Sequence, residues 1–270
     1  MRTAFWEQLA AEGYTVPTDE PLADLTAELT VMLGSPDPHV REDLAAGTVT
    51  AWISLGVYDE LLTGLGDGLV AGLRTGLGEE GTDTVFRRSC SALLLAGCLE
   101  RDSQASLVGP DTVLRWGDAL MSWFVRERDL DEARALDNGA VALAALAGSP
   151  SLGEPELVAV LDVLADRLTA PTPHRLTHVE ADRLARCTVA VARRGLVGDA
   201  EVEGWLDRLV QLTRTTDDGG VPTSSAANAE SLLRALHLQV AVGARPPENR
   251  SDLLLAVLAA LRASNGDLLR

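Results

Sequence analysis

The chain has 270 residues, 46% of them hydrophobic and only 4% aromatic, and carries a formal net charge of −17. That length and apolar content suit a large core built mainly of Leu, Ala and Val, and they exclude a disordered chain. All 23 basic residues are Arg, which excludes a lysine Schiff base and a P-loop; the acidic balance opposes phosphate backbones, so no nucleic-acid partner is expected.

The first residues, Met1 to Glu7, hold no apolar stretch of signal-peptide length, and no run reaches the length of a membrane span. A soluble, cytoplasmic protein without a membrane partner is the expectation. Cys90, Cys98 and Cys187 each lie inside an apolar run. Their odd number and setting predict buried thiols rather than disulfides.

In chain order, short helices are predicted over 4–12 and 22–33. Asp37 and Pro38 read as an N-cap and a first-turn proline. Val40, Leu44, Val49, Trp52, Ile53 and Leu55 follow at helical spacing, so one long helix is predicted there. Further amphipathic helices are predicted over 58–77, 82–100, 110–128, 140–147, 154–169, 179–194, 200–214, 224–242 and 251–263. The 58–77 segment carries Gly64, Gly66, Gly68, Gly72 and Gly76. Glycine weakens a helix, so these predict either a face of close helix approach or a local break.

The breaks are short Pro, Gly, Ser and Asp clusters, as at 34–38, 148–153 and 217–222. None has the length of an interdomain linker. Helices joined this way pack as antiparallel hairpins. The predicted fold is therefore all-α: a single helical domain over 1–270, an irregular α/α superhelix of about five or six stacked hairpins. It is either a HEAT-like solenoid or a compact α-array.

Candidate chemistry is sparse. His174 and His178 would share a face if both were helical, with Glu180 nearby, a loose echo of a metal site. Pro171 and Pro173 instead make 170–177 a loop, and Thr177 with Glu180 three residues on reads as a capping box. That structural reading is preferred, and His39 and His237 are read as structural too. No HExxH, CxxC or Gly-x-Ser-x-Gly occurs, so no metal, cofactor or catalytic residue is assigned. Arg88 and Arg186 each lie near the start of an apolar helix that also holds a Cys. Each could pin helices through a buried ion pair or hold an anionic ligand.

Several segments resemble an uncharacterised bacterial family, the domain of unknown function numbered 2785. They are Phe5-Trp6, Leu33-Gly34-Ser35-Pro36-Asp37-Pro38, Arg41-Glu42-Asp43-Leu44, Trp52-Ile53, Asp83-Thr84-Val85-Phe86-Arg87-Arg88-Ser89 and His178-Val179-Glu180-Ala181-Asp182-Arg183-Leu184-Ala185. The resemblance implies an all-helical protein and names no activity. It also implies a departure: where relatives carry a longer segment ending in His-Gly-Ala-Asp, this chain has Asn138-Gly139-Ala140-Val141. A catalytic or metal site there would have lost its His and acidic members.

Taken together, the residues predict a non-enzymatic helical-repeat protein whose groove receives a protein or peptide partner. The alternative is a small-molecule or anion binder, with hydrolase activity as one form of it, and a pocket near Arg88 and His178. The candidate ligand- or partner-contacting residues are Asp83, Phe86, Arg88, Asn138, His178, Glu180 and Arg183.

Overall fold

A computed structural model of the chain describes residues 2–130, 133–220 and 222–266. Its elements are α1 (Thr3–Ala11), α2 (Leu22–Met32), a π-helix (His39–Ala46) that runs directly into α3 (Gly47–Ser54), and a 3-10 turn (Asp59–Leu61) leading into α4 (Leu62–Leu73). There follow α5 (Thr84–Ala105), α6 (Pro110–Arg126), α7 (Ala135–Gly148), α8 (Glu154–Thr169), α9 (His178–Arg193), α10 (Asp199–Thr213), α11 (Ser224–Val242) and α12 (Arg250–Ser264). No β-strand occurs among the described residues, only the isolated bridges Leu77 to Glu79 and Thr216 to Pro222. The chain is all-helical, as its periodicity predicts.

Apart from shifts in where helices such as α5 and α7 begin or end, two elements differ in kind from the predicted ones. The segment after Pro38 is continuous but not uniform, because its first part is wound as a π-helix. The helix predicted over 58–77 is confined to α4; Tyr58 to Leu61 is tighter, and Gly76 sits at φ +61°, outside the helix.

The chain divides into two compact units, Met1–Ala142 and Leu143–Arg270. In the first, α3 packs on α5 and α4 on α6, while α1 and α2 cover the π-helix. Four tryptophans anchor its core: Trp6, Trp52, Trp116 and Trp123 are all buried. Trp6 meets Trp52 edge to face with centroids 6.2 Å apart, an arrangement that favours aromatic quadrupoles.

In the second unit α8 packs on α10, α9 on α11 and α10 on α12. Hydrogen bonds give the direction of two of these pairs. Trp205 Nε1 donates to the Leu161 carbonyl at 2.7 Å and Arg208 Nη2 to Asp166 Oδ1 at 2.7 Å, so α8 and α10 run parallel. Gln239 Nε2 donates to the Asp182 carbonyl at 2.6 Å and Arg193 Nε to the Arg245 carbonyl at 2.7 Å, so α9 and α11 do too. Parallel packing of helices two apart is the arrangement that stacked hairpins produce.

Candidate functional site

The π-helix and the residues just before it build one wall of a cavity in the first unit. Asp37 Oδ1 accepts the His39 amide N–H at 2.9 Å, the capping role its position predicts. Two residues on, Arg41 is turned inward and buried. Its Nη1 donates to the Ser35 and Pro36 carbonyls at 2.8 and 3.1 Å, and its Nη2 to Glu42 Oε1 at 2.6 Å. The guanidinium lies 4.2 Å from the Phe86 ring centroid, a cation–π contact that replaces part of the lost hydration.

α5 and the start of α7 supply the opposite wall. Ser89 Oγ donates to the Ala133 carbonyl at 2.6 Å. Its only hydrogen is thereby committed, so the amide facing it from Asn138 must be a donor: Asn138 Nδ2 to Ser89 Oγ, 2.9 Å. This orientation directs the Asn138 carbonyl oxygen away from Ser89, where it meets no partner among the described residues and is not sealed from solvent. Next to it, Arg134 holds φ +52°, a left-handed conformation that costs a non-glycine residue energy and recurs at functional sites. Its Nη2 pairs with Asp137 Oδ2 at 2.8 Å.

Between these walls lies a cavity of about 420 Å³, whose polar lining is Arg41, Glu42, Thr50, Cys90, Arg134 and Asn138. Burial pushes the Cys90 thiol up to about 12, so this sulfur stays protonated at neutral pH and is a poor nucleophile. The lining offers the Asn138 carbonyl oxygen, the Thr50 hydroxyl, a protonated thiol and two guanidiniums already paired with Glu42 and Asp137, a set suited to holding a polar molecule. Among the described residues, no group of three or more His, Cys, Asp or Glu side chains is placed to hold a metal ion.

The residues singled out by sequence divide between the two units. Asn138 lines the cavity and Phe86 supports Arg41. Asp83 stands exposed just before α5, and its side chain makes no capping bond. Arg88 is fully buried and turned elsewhere. Its Nε and Nη2 donate to Glu127 at 2.6 and 2.9 Å, while Nη1 donates to the Thr75 and Gly76 carbonyls and Thr84 Oγ1. Of the two readings open for Arg88, the geometry is that of the buried ion pair. Burial raises the Glu127 carboxyl, but hydrogen bonds and charge from Arg88 outweigh it and leave the group below its ordinary value.

His178, Glu180 and Arg183 belong to α9 in the second unit. Thr177 Oγ1 accepts the Glu180 amide at 3.3 Å while Glu180 Oε2 accepts the Thr177 amide at 2.7 Å, the reciprocal capping box that the sequence predicts. Glu180 also meets His174 Nε2 at 3.1 Å, so His174 and Glu180 secure a helix start. Asn228 braces the same loop, accepting from the Leu176 amide and donating to the His174 carbonyl. His178 is exposed.

Sequence reasoning missed Arg41, Glu42, Cys90 and Arg134 as cavity residues. An Arg one position after an apolar stripe residue was the available signal for Arg41. Nothing in residue order announces a π-turn or a left-handed arginine.

No curated protein and no solved structure matches the chain. A family model described as "Protein of unknown function (DUF2785)" matches residues 73–238, a span that runs from the end of α4 to within α11 and includes Arg88, Asn138 and the α9 capping box. The chain belongs to this family.

Proposed function

We propose that the chain binds rather than transforms its ligand, and that the cavity beside the π-helix takes a small polar molecule. The observation that carries this reading is Asn138, whose amide nitrogen is held by Ser89 and whose carbonyl oxygen is left for the cavity, with no partner among the described residues. That oxygen is open to the cavity rather than sealed from solvent, so a ligand N–H or O–H can take the place of water on it. The volume, about 420 Å³, lies in the range of small-molecule sites. Arg41 and Arg134 add guanidinium donors whose charge Glu42 and Asp137 already balance, so a neutral polar molecule with amide-like donors and acceptors fits the lining best.

Binding is favoured over catalysis by the state of the candidate reactive groups. Cys90 is held protonated, and Glu42 is tied to Arg41. We therefore rest the ligand reading on Arg41 and Asn138, in place of the pairing of Arg88 with His178 that the sequence put forward.

The test is a thermal-shift panel of amino acids, small carboxylates and amides on the wild-type chain and on Ala51→Trp, which fills the cavity from the α3 side. At least one compound class should raise the wild-type midpoint and leave Ala51→Trp unmoved. Equal shifts in both proteins, or none in the wild type, would sink the proposal. Native mass spectrometry of the wild-type protein should release the same class of compound.

A further inference from the structure

The second unit carries a face that neither its core nor the cavity explains. Val179 on α9, with Leu238 and Val242 on α11, is 56% exposed against 55% and 72% for the other two. The two ties between these parallel helices, Gln239 to the Asp182 carbonyl and Arg193 to the Arg245 carbonyl, bracket both Arg186 and Val242. Those two positions therefore lie at one level along the helix pair, and both are exposed. Arg186 and Arg193 stand about two helical turns apart, roughly 10 Å along the axis, and Arg193 is bonded to Arg245 itself.

Three arginines are thus gathered along the helices that carry the exposed aliphatic groups or directly beyond their ends. None of the three is paired with a carboxylate among the described residues, and Asp182, which is exposed on the same helix, leaves the group cationic on balance. Burial first, and then the charges of Arg245 and Arg186, hold the Arg193 guanidinium below its ordinary value, the mark of like charges in mutual range. A chain with 40 acidic residues and 23 basic ones has carboxylates in excess and yet leaves these cations without one.

We propose that this face docks an acidic amphipathic helix of a partner protein. Its aliphatic stripe would lie on Val179, Leu238 and Val242, and its carboxylates would meet Arg186, Arg193 and Arg245. This is helix-in-groove recognition, with the aliphatic seam giving affinity and the cations giving orientation. An anionic bilayer would attract the same three cations but repel the rest of a surface whose net charge is −17.

The experiment uses the full chain and a labelled synthetic helix of about 18 residues, made of Leu and Glu with Leu on one face, followed by fluorescence anisotropy. Long-range repulsion works against binding, so a signal must come from a local cationic surface. Micromolar binding that weakens as salt rises is expected. Arg186→Glu with Arg245→Glu should weaken it about tenfold or more, Val242→Asp similarly, and Arg74→Glu with Arg115→Glu, on the first unit, less than about twofold. If the first pair unfolds the protein by circular dichroism, Arg186→Gln with Arg245→Gln provides the same readout. Three results overturn the proposal. They are no wild-type binding at about 100 µM peptide, equal losses from both pairs of reversals, and capture of the chain by phosphatidylserine vesicles in place of the peptide.

Discussion

Arg88 and Glu127 show how a single residue can look functional in sequence and prove structural in space. The guanidinium is fully buried, and Glu127 also accepts from Trp123 Nε1 and from the Arg128 and Asp129 amides. Removing one partner leaves the other charge buried and unpaired, so Arg88→Met or Glu127→Gln should cost about 3–5 kcal/mol in urea unfolding. Arg88→Met combined with Glu127→Leu should recover part of that loss. The folded Glu127 carboxyl lies below its ordinary value of 4.5, so its contribution is present above that value and is lost as pH falls through the lower folded one. Glu127→Gln should therefore flatten the acid side of the stability profile between those two values.

The three thiols extend the same logic to reactivity. All are buried; burial pushes Cys90 and Cys98 up to about 12 and Cys187 upward as well. A thiol reagent at pH 8 should label none in the native protein and all three once it is unfolded. Fast native labelling of Cys90 would mean that its cavity opens more widely than its 4% exposure indicates. The burial of all three was legible from their apolar neighbours. The destination of Arg88 was not, because an ion pair to a residue 39 positions away leaves no trace in local spacing.

Among the elements, α4 gives its glycines different meanings. A Cβ on Gly66 would overlap the Trp116 ring and one on Gly72 would overlap Ser91, whereas Gly64 and Gly68 face open space. Gly66→Ala should thus destabilise by about 1–3 kcal/mol through overpacking. Gly64→Ala and Gly68→Ala should stabilise by up to about 1 kcal/mol, since alanine is the better helix former. A thermal melt of the three variants separates these outcomes, and a harmless Gly66→Ala would refute the close approach of α4 to α6. Sequence could pose this question, approach or break, but could not assign each glycine. That assignment depends on which residue of α6 lies opposite, a matter of tertiary register.

Elements marked by capping chemistry were the most legible. Thr177 with Glu180 fixed the start of α9, and the ends of α8 and α11 fell where their Gly, Pro and Ser clusters predict. α7 was read short because its first turn begins at Ala135, directly after the left-handed Arg134. A left-handed arginine is a backbone state that its side chain does not advertise.

For the whole molecule, the helical class followed from periodicity, while the division into two compact units did not. One helix crosses that division without a Pro- or Gly-rich linker: the boundary between Ala142 and Leu143 lies inside α7. Composition at this scale does govern solution behaviour. With every basic residue an arginine, amine-directed acylation should modify the folded chain only at its α-amino group, and peptide mass mapping of the product would check this. The proposed cavity and the proposed docking face lie in different units, so Ala51→Trp should leave binding of the acidic helix within about twofold of wild type.

The π-helix has a consequence for how the chain tolerates length changes. Each i+5 bond takes in one residue more than an α-turn, so the face that α3 presents is phased by it. In a regular helix one residue corresponds to a rotation of about 100°. Loss of a single codon between His39 and Ala46, even of exposed Asp43, would swing Trp52 off the Trp6 ring it now meets. A substitution on the surface of that segment leaves the face of α3 where it is, whereas a change in residue count turns it.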